Sequence, residues 1–102
     1  MSNSFVKAVL EQYPIAISYA GRLPDGASVV TGTISATDLL DDSDATATVL
    51  ESATLTISGD LAQAFVQAGA SGHTYRLDFL VTLNPGAQPP RLEDTILMRV
   101  EG

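Results

Sequence analysis

Ser71 and His73, in the run Gly69-Ala70-Ser71-Gly72-His73, are the pair whose types could carry nucleophilic chemistry, and His73 is the one histidine of the chain. A serine becomes a nucleophile when an imidazole takes its proton and a carboxylate orients that imidazole. The run narrowly misses a nucleophile elbow, which requires glycine where His73 stands and a strand, turn and helix in an α/β fold. A serine and a histidine in one loop would also lack the orienting carboxylate that tertiary structure places beside a catalytic histidine. The expectation is no enzyme and no catalytic residue.

Asp38, Asp41, Asp42 and Asp44 could offer oxygen ligands to a hard cation such as Ca²⁺. Their spacing does not match an EF-hand loop, which needs a glycine at its sharp turn and a distal bidentate glutamate, so the segment reads as a solvated loop with no metal site. Gly69, Ser71 and Gly72 suggest a phosphate cradle only loosely. No G-x-G-x-x-G run and no P-loop lysine is present, the sole lysine being Lys7. They read as turn residues, and no cofactor is expected. Tyr13, Tyr19, Phe5 and Phe79 are too few for a carbohydrate platform and read as core.

These residues must be positioned by strands. Ile15, Ile17 and Tyr19 alternate with Ala16 and Ser18 after Pro14, which predicts a half-buried strand. Leu23-Pro24-Asp25-Gly26 predicts a turn, because proline presets φ and glycine accepts φ > 0. Ser28 to Thr37 predicts a strand with Val30, Gly32, Ile34 and Ala36 on one face and Val29, Thr31, Thr33 and Ser35 on the other. Asp38 to Asp44 follows as an acidic loop. Thr46 to Leu50 and Ala53 to Ser58 read as two short strands.

Leu61 to Ala68 fits either a helical stripe of Leu61, Ala64, Phe65 and Ala68 or an alternating strand. Tyr75 to Leu83 is the clearest strand, with Tyr75, Leu77, Phe79, Val81 and Leu83 on its inward face. Asn84 to Pro90 forms a rigid polar loop, and Asp94 to Glu101 returns to pair with Tyr75 to Leu83 as a long hairpin. Leu80 and Leu97 point away from the main core set, leaving a modest apolar surface that a neighbouring subunit could cover. About seven or eight short strands spaced by turns predict an all-β, antiparallel sandwich. Tyr75, opening a late strand, stands where immunoglobulin-like sandwiches place a corner tyrosine.

A chain of 102 residues fits one domain, residues 1–102, with no internal repeat. Its 45% hydrophobic content is enough for one core, and without cysteine that core must hold by packing alone. Twelve acidic against five basic residues give a net charge of −7, which repels phosphate backbones and anionic membranes. Lys7, Arg22, Arg76, Arg91 and Arg99 are scattered, so neither nucleic acid nor membrane is expected as a partner. Met1 to Leu10 lacks the apolar run of an export signal, and the expectation is a soluble, non-exported chain.

Glu11 before Tyr13 to Tyr19, Leu23-Pro24-Asp25-Gly26-Ala27-Ser28-Val29, Gly69-Ala70-Ser71-Gly72-His73-Thr74-Tyr75 and the closing Asp94 to Val100 together resemble a family of small phage virion proteins, the fiber-tail or tail adaptor proteins. The family departs from this chain in usually carrying a tryptophan and a glycine pair where Tyr19 and Ala68-Gly69 stand. The resemblance implies an immunoglobulin-like sandwich, with Leu61 to Ala68 a strand. It also implies a structural subunit of a tail, neck or fiber attachment, with no cofactor and no turnover. Such a subunit, made in the host cytoplasm, would sit in the virion in several copies beside other phage structural proteins. Met1 to Leu10 and Asp38 to Asp44, both outside the firmest strands, are the segments expected to touch neighbours. The alternative is a free-standing immunoglobulin-like recognition or adhesion module that binds a receptor, peptide or glycan through its loops.

Overall fold

The alternating segments become the strands of two sheets. The computed structural model describes residues 3–19, 21, 23, 26–84 and 90–101. Its elements are β1 (Asn3–Ala8), β2 (Tyr13–Ser18), β3 (Val29–Asp38), β4 (Ser43–Asp44), α1 (Thr46–Val49), β5 (Thr56–Ser58), β6 (Leu61–Val66), β7 (Thr74–Leu83) and β8 (Arg91–Glu101). Five strands form one sheet in the order β1-β8-β7-β3-β4, and three form the other in the order β2-β6-β5. The fold is an all-β sandwich.

Its core follows the inward faces. Tyr75, Leu77, Phe79, Val81 and Leu83 of β7 are all buried, and Tyr75 and Leu77 lie opposite Met98 and Ile96 of β8 in the expected hairpin. Ala62, Ala64 and Val66 of β6 face them across the sandwich, with Tyr19 fully buried after β2. Burying a side chain the size of Phe79 contributes roughly 1.5–3 kcal/mol. Gly32 is required by close packing: a Cβ there would lie 2.8 Å from Leu55 Cδ1 and 3.1 Å from the Leu80 carbonyl oxygen. Leu61–Val66 is a strand, which decides the ambiguous segment in favour of alternation.

Three expectations need correction, while the antiparallel pairing holds for every described strand pair but one: β1 pairs with β8 in parallel register, Asn3 opposite Ile96 and Ala8 opposite Glu101. The chain turns after β1 into the other sheet, so β1 and β2 never form a hairpin. Val30 does not share a face with Gly32, Ile34 and Ala36. The register of β3 against β7 shifts between Val29 and Thr31, which turns Val29 inward and leaves Val30 56% exposed.

Thr46 to Leu50 is not a strand. Thr46–Val49 is a single helical turn, and Leu50 alone bridges to Val66. This segment carries the chain from one sheet to the other, and that crossing overrides the strand preference of its threonines and valine. Last, Asn3–Ala8 is a full strand, although Met1 to Leu10 read as lying outside the firm strands. Pro24 and Asp25 of the first turn, and Pro85 to Pro89 of the β7–β8 loop, lie outside the described residues. Gly26 takes φ +76°, as its turn requires.

Candidate functional site

The loop between β6 and β7 holds the candidate nucleophile. Gly69 and Gly72 bend it with φ of +99° and +85°, which brings His73 back against the end of β3. There His73 Nδ1 lies 2.7 Å from Asp38 Oδ2, and the ring stacks on Tyr75 with centroids 6.2 Å apart. The expectation that no carboxylate would orient His73 is therefore wrong: Asp38, only 8% exposed, does so. The nucleophile arm is what is missing. Ser71 is exposed, and among the described residues no hydrogen bond joins its hydroxyl to the imidazole. A serine-to-histidine proton transfer requires that bond. Asp38 Oδ1 also accepts the Leu40 N–H at 3.0 Å, so the carboxylate clamps two loops together.

The other acidic side chains shape their own turn. Asp41 accepts the Ser43 hydroxyl at 2.6 Å and its N–H at 3.1 Å, and Asp44 accepts the Thr46 hydroxyl at 2.6 Å and its N–H at 3.0 Å. These bonds favour the ionised forms and hold both carboxyls below the usual aspartate range. Among the described residues, no group of three or more His, Cys, Asp or Glu could hold a metal ion.

The two segments expected to touch neighbours converge on one end of the five-stranded sheet. The Leu39 N–H donates to the Thr74 carbonyl at 2.9 Å, Thr74 pairs with Arg99, and Arg99 pairs with Val6. Leu39, just past the end of β3, and Thr74, Arg99 and Val6 of β7, β8 and β1 thus follow one another across the sheet. Around them Val6 is 59% exposed, Leu40 74% and Leu10 93%. A groove of about 320 Å³ runs beside β1, lined by Ser4, Phe5, Val6, Thr74, Leu97 and Arg99. Leu97, expected to point outward, is one wall of it. Leu80 lies in a separate groove farther along the sheet, with Asp78, Glu93 and Asp94. Exposed apolar side chains on the three-stranded sheet are fewer, chiefly Leu61 and Phe65.

Lys7 is the residue that sequence reasoning missed. Its side chain is fully buried, and its ammonium donates to the carbonyls of Ala8 at 2.7 Å, Val9 at 3.0 Å and Ala68 at 2.6 Å. Burial pulls its pKa below the ordinary lysine value, and the nearby Glu11 carboxylate works against that shift. The signal was present in the alternation of Phe5 and Lys7 with Ser4 and Val6, which a lysine on the inward face disguises.

Residues 7–99 match the model of one protein family, described as podophage GP4 fiber-tail adaptor protein gp77. The chain belongs to this family. The match runs from the buried Lys7 of β1 to Arg99 of β8, so both loops joined by Asp38 and His73 lie inside it. No curated protein and no solved structure matches the chain. Within the span matched to this fiber-tail adaptor family, Ala68 and Gly69 both take positive φ, +46° and +99°.

Proposed function

We propose that this chain is a single-domain, non-catalytic structural subunit of a phage virion. It sits at the tail, the neck or the fiber attachment, in several copies related by rotation. It contacts other tail, neck or fiber proteins and takes neither cofactor nor metal. The observation that carries this reading is the family match over residues 7–99. Two structural features support it. The surface end built from Val6, Leu10, Leu39 and Leu40 presents exposed apolar side chains from two separate loops and an edge strand, which suits protein contact. A net charge of −7 disfavours nucleic acid and anionic membranes.

The immunoglobulin-like character belongs to the same proposal. Read in chain order, β8-β7-β3-β4 follows the strand order G-F-C-C′ and β2-β6-β5 follows B-E-D. Tyr75 fits the corner position, since its hydroxyl oxygen accepts the Ala70 N–H at 2.9 Å, five residues upstream. Particles assembled without this chain test the function: they should package DNA yet lack attached fibers by electron microscopy, and adding the purified chain should restore them. Fibers attached normally in its absence would refute the adaptor role.

A further inference from the structure

The backbone of β1 has two sides, and only one is fully used. The Val9 N–H donates to Glu101 of β8, so odd-numbered residues of this stretch face β8 and even-numbered ones face away. On the outward side, Ala8 is closed off within the chain: its N–H goes to Glu11 Oε1 at 2.8 Å, and its carbonyl accepts from Lys7 and from the Glu11 N–H. Val6 keeps only a 3.4 Å contact from the Tyr13 hydroxyl to its carbonyl. Among the described residues, the Val6 N–H and both backbone groups of Ser4 have no partner.

Among the described residues no other edge is comparable. The far side of β3 is covered, because the Ile34 N–H donates to Ala53, Gly32 accepts from Leu55, Ala36 accepts from Ala45, and β4 pairs beyond. The outward side of β2 includes Pro14, which has no N–H to offer, and β5 is only three residues long.

We infer that the β1 edge at Ser4 to Val6 receives an added strand, an extended segment of another virion protein flanked by basic residues. This rests on the chain being a virion component. Unpaired backbone groups in a row are satisfied by extended backbone, and side-chain pockets beside the edge select alternate residues of the incoming strand. On the sheet face inboard of that edge, the groove lined by Ser4, Val6, Leu97, Thr74 and Arg99 leaves room for a long side chain of the incoming strand that reaches across β1.

Charge decides between another protein and a second copy. Lys7 is caged by carbonyls, Arg76 is paired with Asp78 at 3.0 Å, and Arg99 is paired with Glu101 at 2.9 Å. Most of the basic charge is thus spent internally in a chain of net charge −7, and Glu11 stands at the end of the open edge. A second copy is repelled, whereas a basic segment is attracted.

Hydrogen exchange read by mass spectrometry, on the isolated chain and on purified particles, tests this. In the isolated chain, the Ser4 and Val6 amides should exchange freely while the odd-numbered amides are protected. In the particle both should slow by about tenfold or more. The variant Val6→Pro removes only the outward N–H, so it should fold yet fail to enter particles made without the chain, while Val6→Thr enters normally. Equal exchange of Ser4 and Val6 in both states would overturn the inference. So would normal entry of folded Val6→Pro, or protection already present in an oligomer of the isolated chain. If Val6→Pro does not fold, the exchange comparison alone decides. Absence of the chain from particles would instead overturn the virion reading on which the inference rests.

Discussion

The Lys7 ammonium donates to the Ala68 carbonyl at 2.6 Å, tying the edge strand β1 to a loop 61 residues later in the chain. With Ala8 and Val9 accepting as well, all three ammonium hydrogens are used inside the fold. An edge strand paired only in parallel with β8 needs such an anchor, since it has no hairpin partner to hold it.

Lys7→Met keeps most of the buried stem and removes the donor, so a loss of about 2 kcal/mol in urea unfolding is expected. The pH dependence has a definite sign. Burial lowers the folded pKa of Lys7, so between that value and the unfolded one, about 10.4, the unfolded chain binds more protons and stability rises with pH. The stability gap between wild type and Lys7→Met should therefore widen as pH rises through the range just below about 10.4. A gap that narrows would mean that the three carbonyls hold the proton more strongly than burial expels it.

Ala68 and Gly69 make opposite predictions. Ala68 has φ +46°, where a Cβ costs about 1 kcal/mol, so Ala68→Gly should raise stability by up to that amount. Gly69 has φ +99°, and a Cβ there would lie 2.8 Å from Val100 Cγ2. Gly69→Ala should cost about 2–4 kcal/mol in the same unfolding measurement.

Tyr75→Phe removes the acceptor of the Ala70 N–H while keeping the buried ring. The expected cost is about 1 kcal/mol, with faster exchange of the Ala70 amide. An unchanged amide would place the loop's restraint in Gly69 and Gly72 instead.

Asp38→Ala removes both the His73 contact and the Leu40 N–H bond, so a loss of about 1–2 kcal/mol is expected. The nuclear magnetic resonance shifts of Leu39, Leu40 and Gly72 should move together, because the carboxylate clamps their loops. Ser71→Ala should change neither stability nor those shifts.

Much of the fold was legible because alternation survives wherever one face is dry. Tyr75 to Leu83 shows five inward apolar residues without interruption, and Ile96, Met98 and Val100 answer them. The β-bulge in β3 was invisible, since Val29 and Val30 are equally apolar and either can face the core. Thr46–Val49 misled because β-branched residues favour strands, while its actual turn follows from crossing between sheets. Lys7 hid β1 by placing a charge at an inward position. Asp38 and His73 were each visible, but their meeting depends on a β3–β7 register that joins Asp38 to Tyr75, which sequence spacing does not encode. The convergence of β1 with the Leu39-Leu40 tip is legible only once β8 and β7 lie between them.

The most direct test of the virion role is quantitative peptide mass spectrometry on salt-washed particles, with this chain measured against the major capsid protein. A fixed ratio corresponding to tens of copies per particle is the expected result, and its value would give the copy number of the subunit. Absence from the particle, with the chain present in infected cells, would contradict the structural role and leave a soluble recognition module as the reading to pursue.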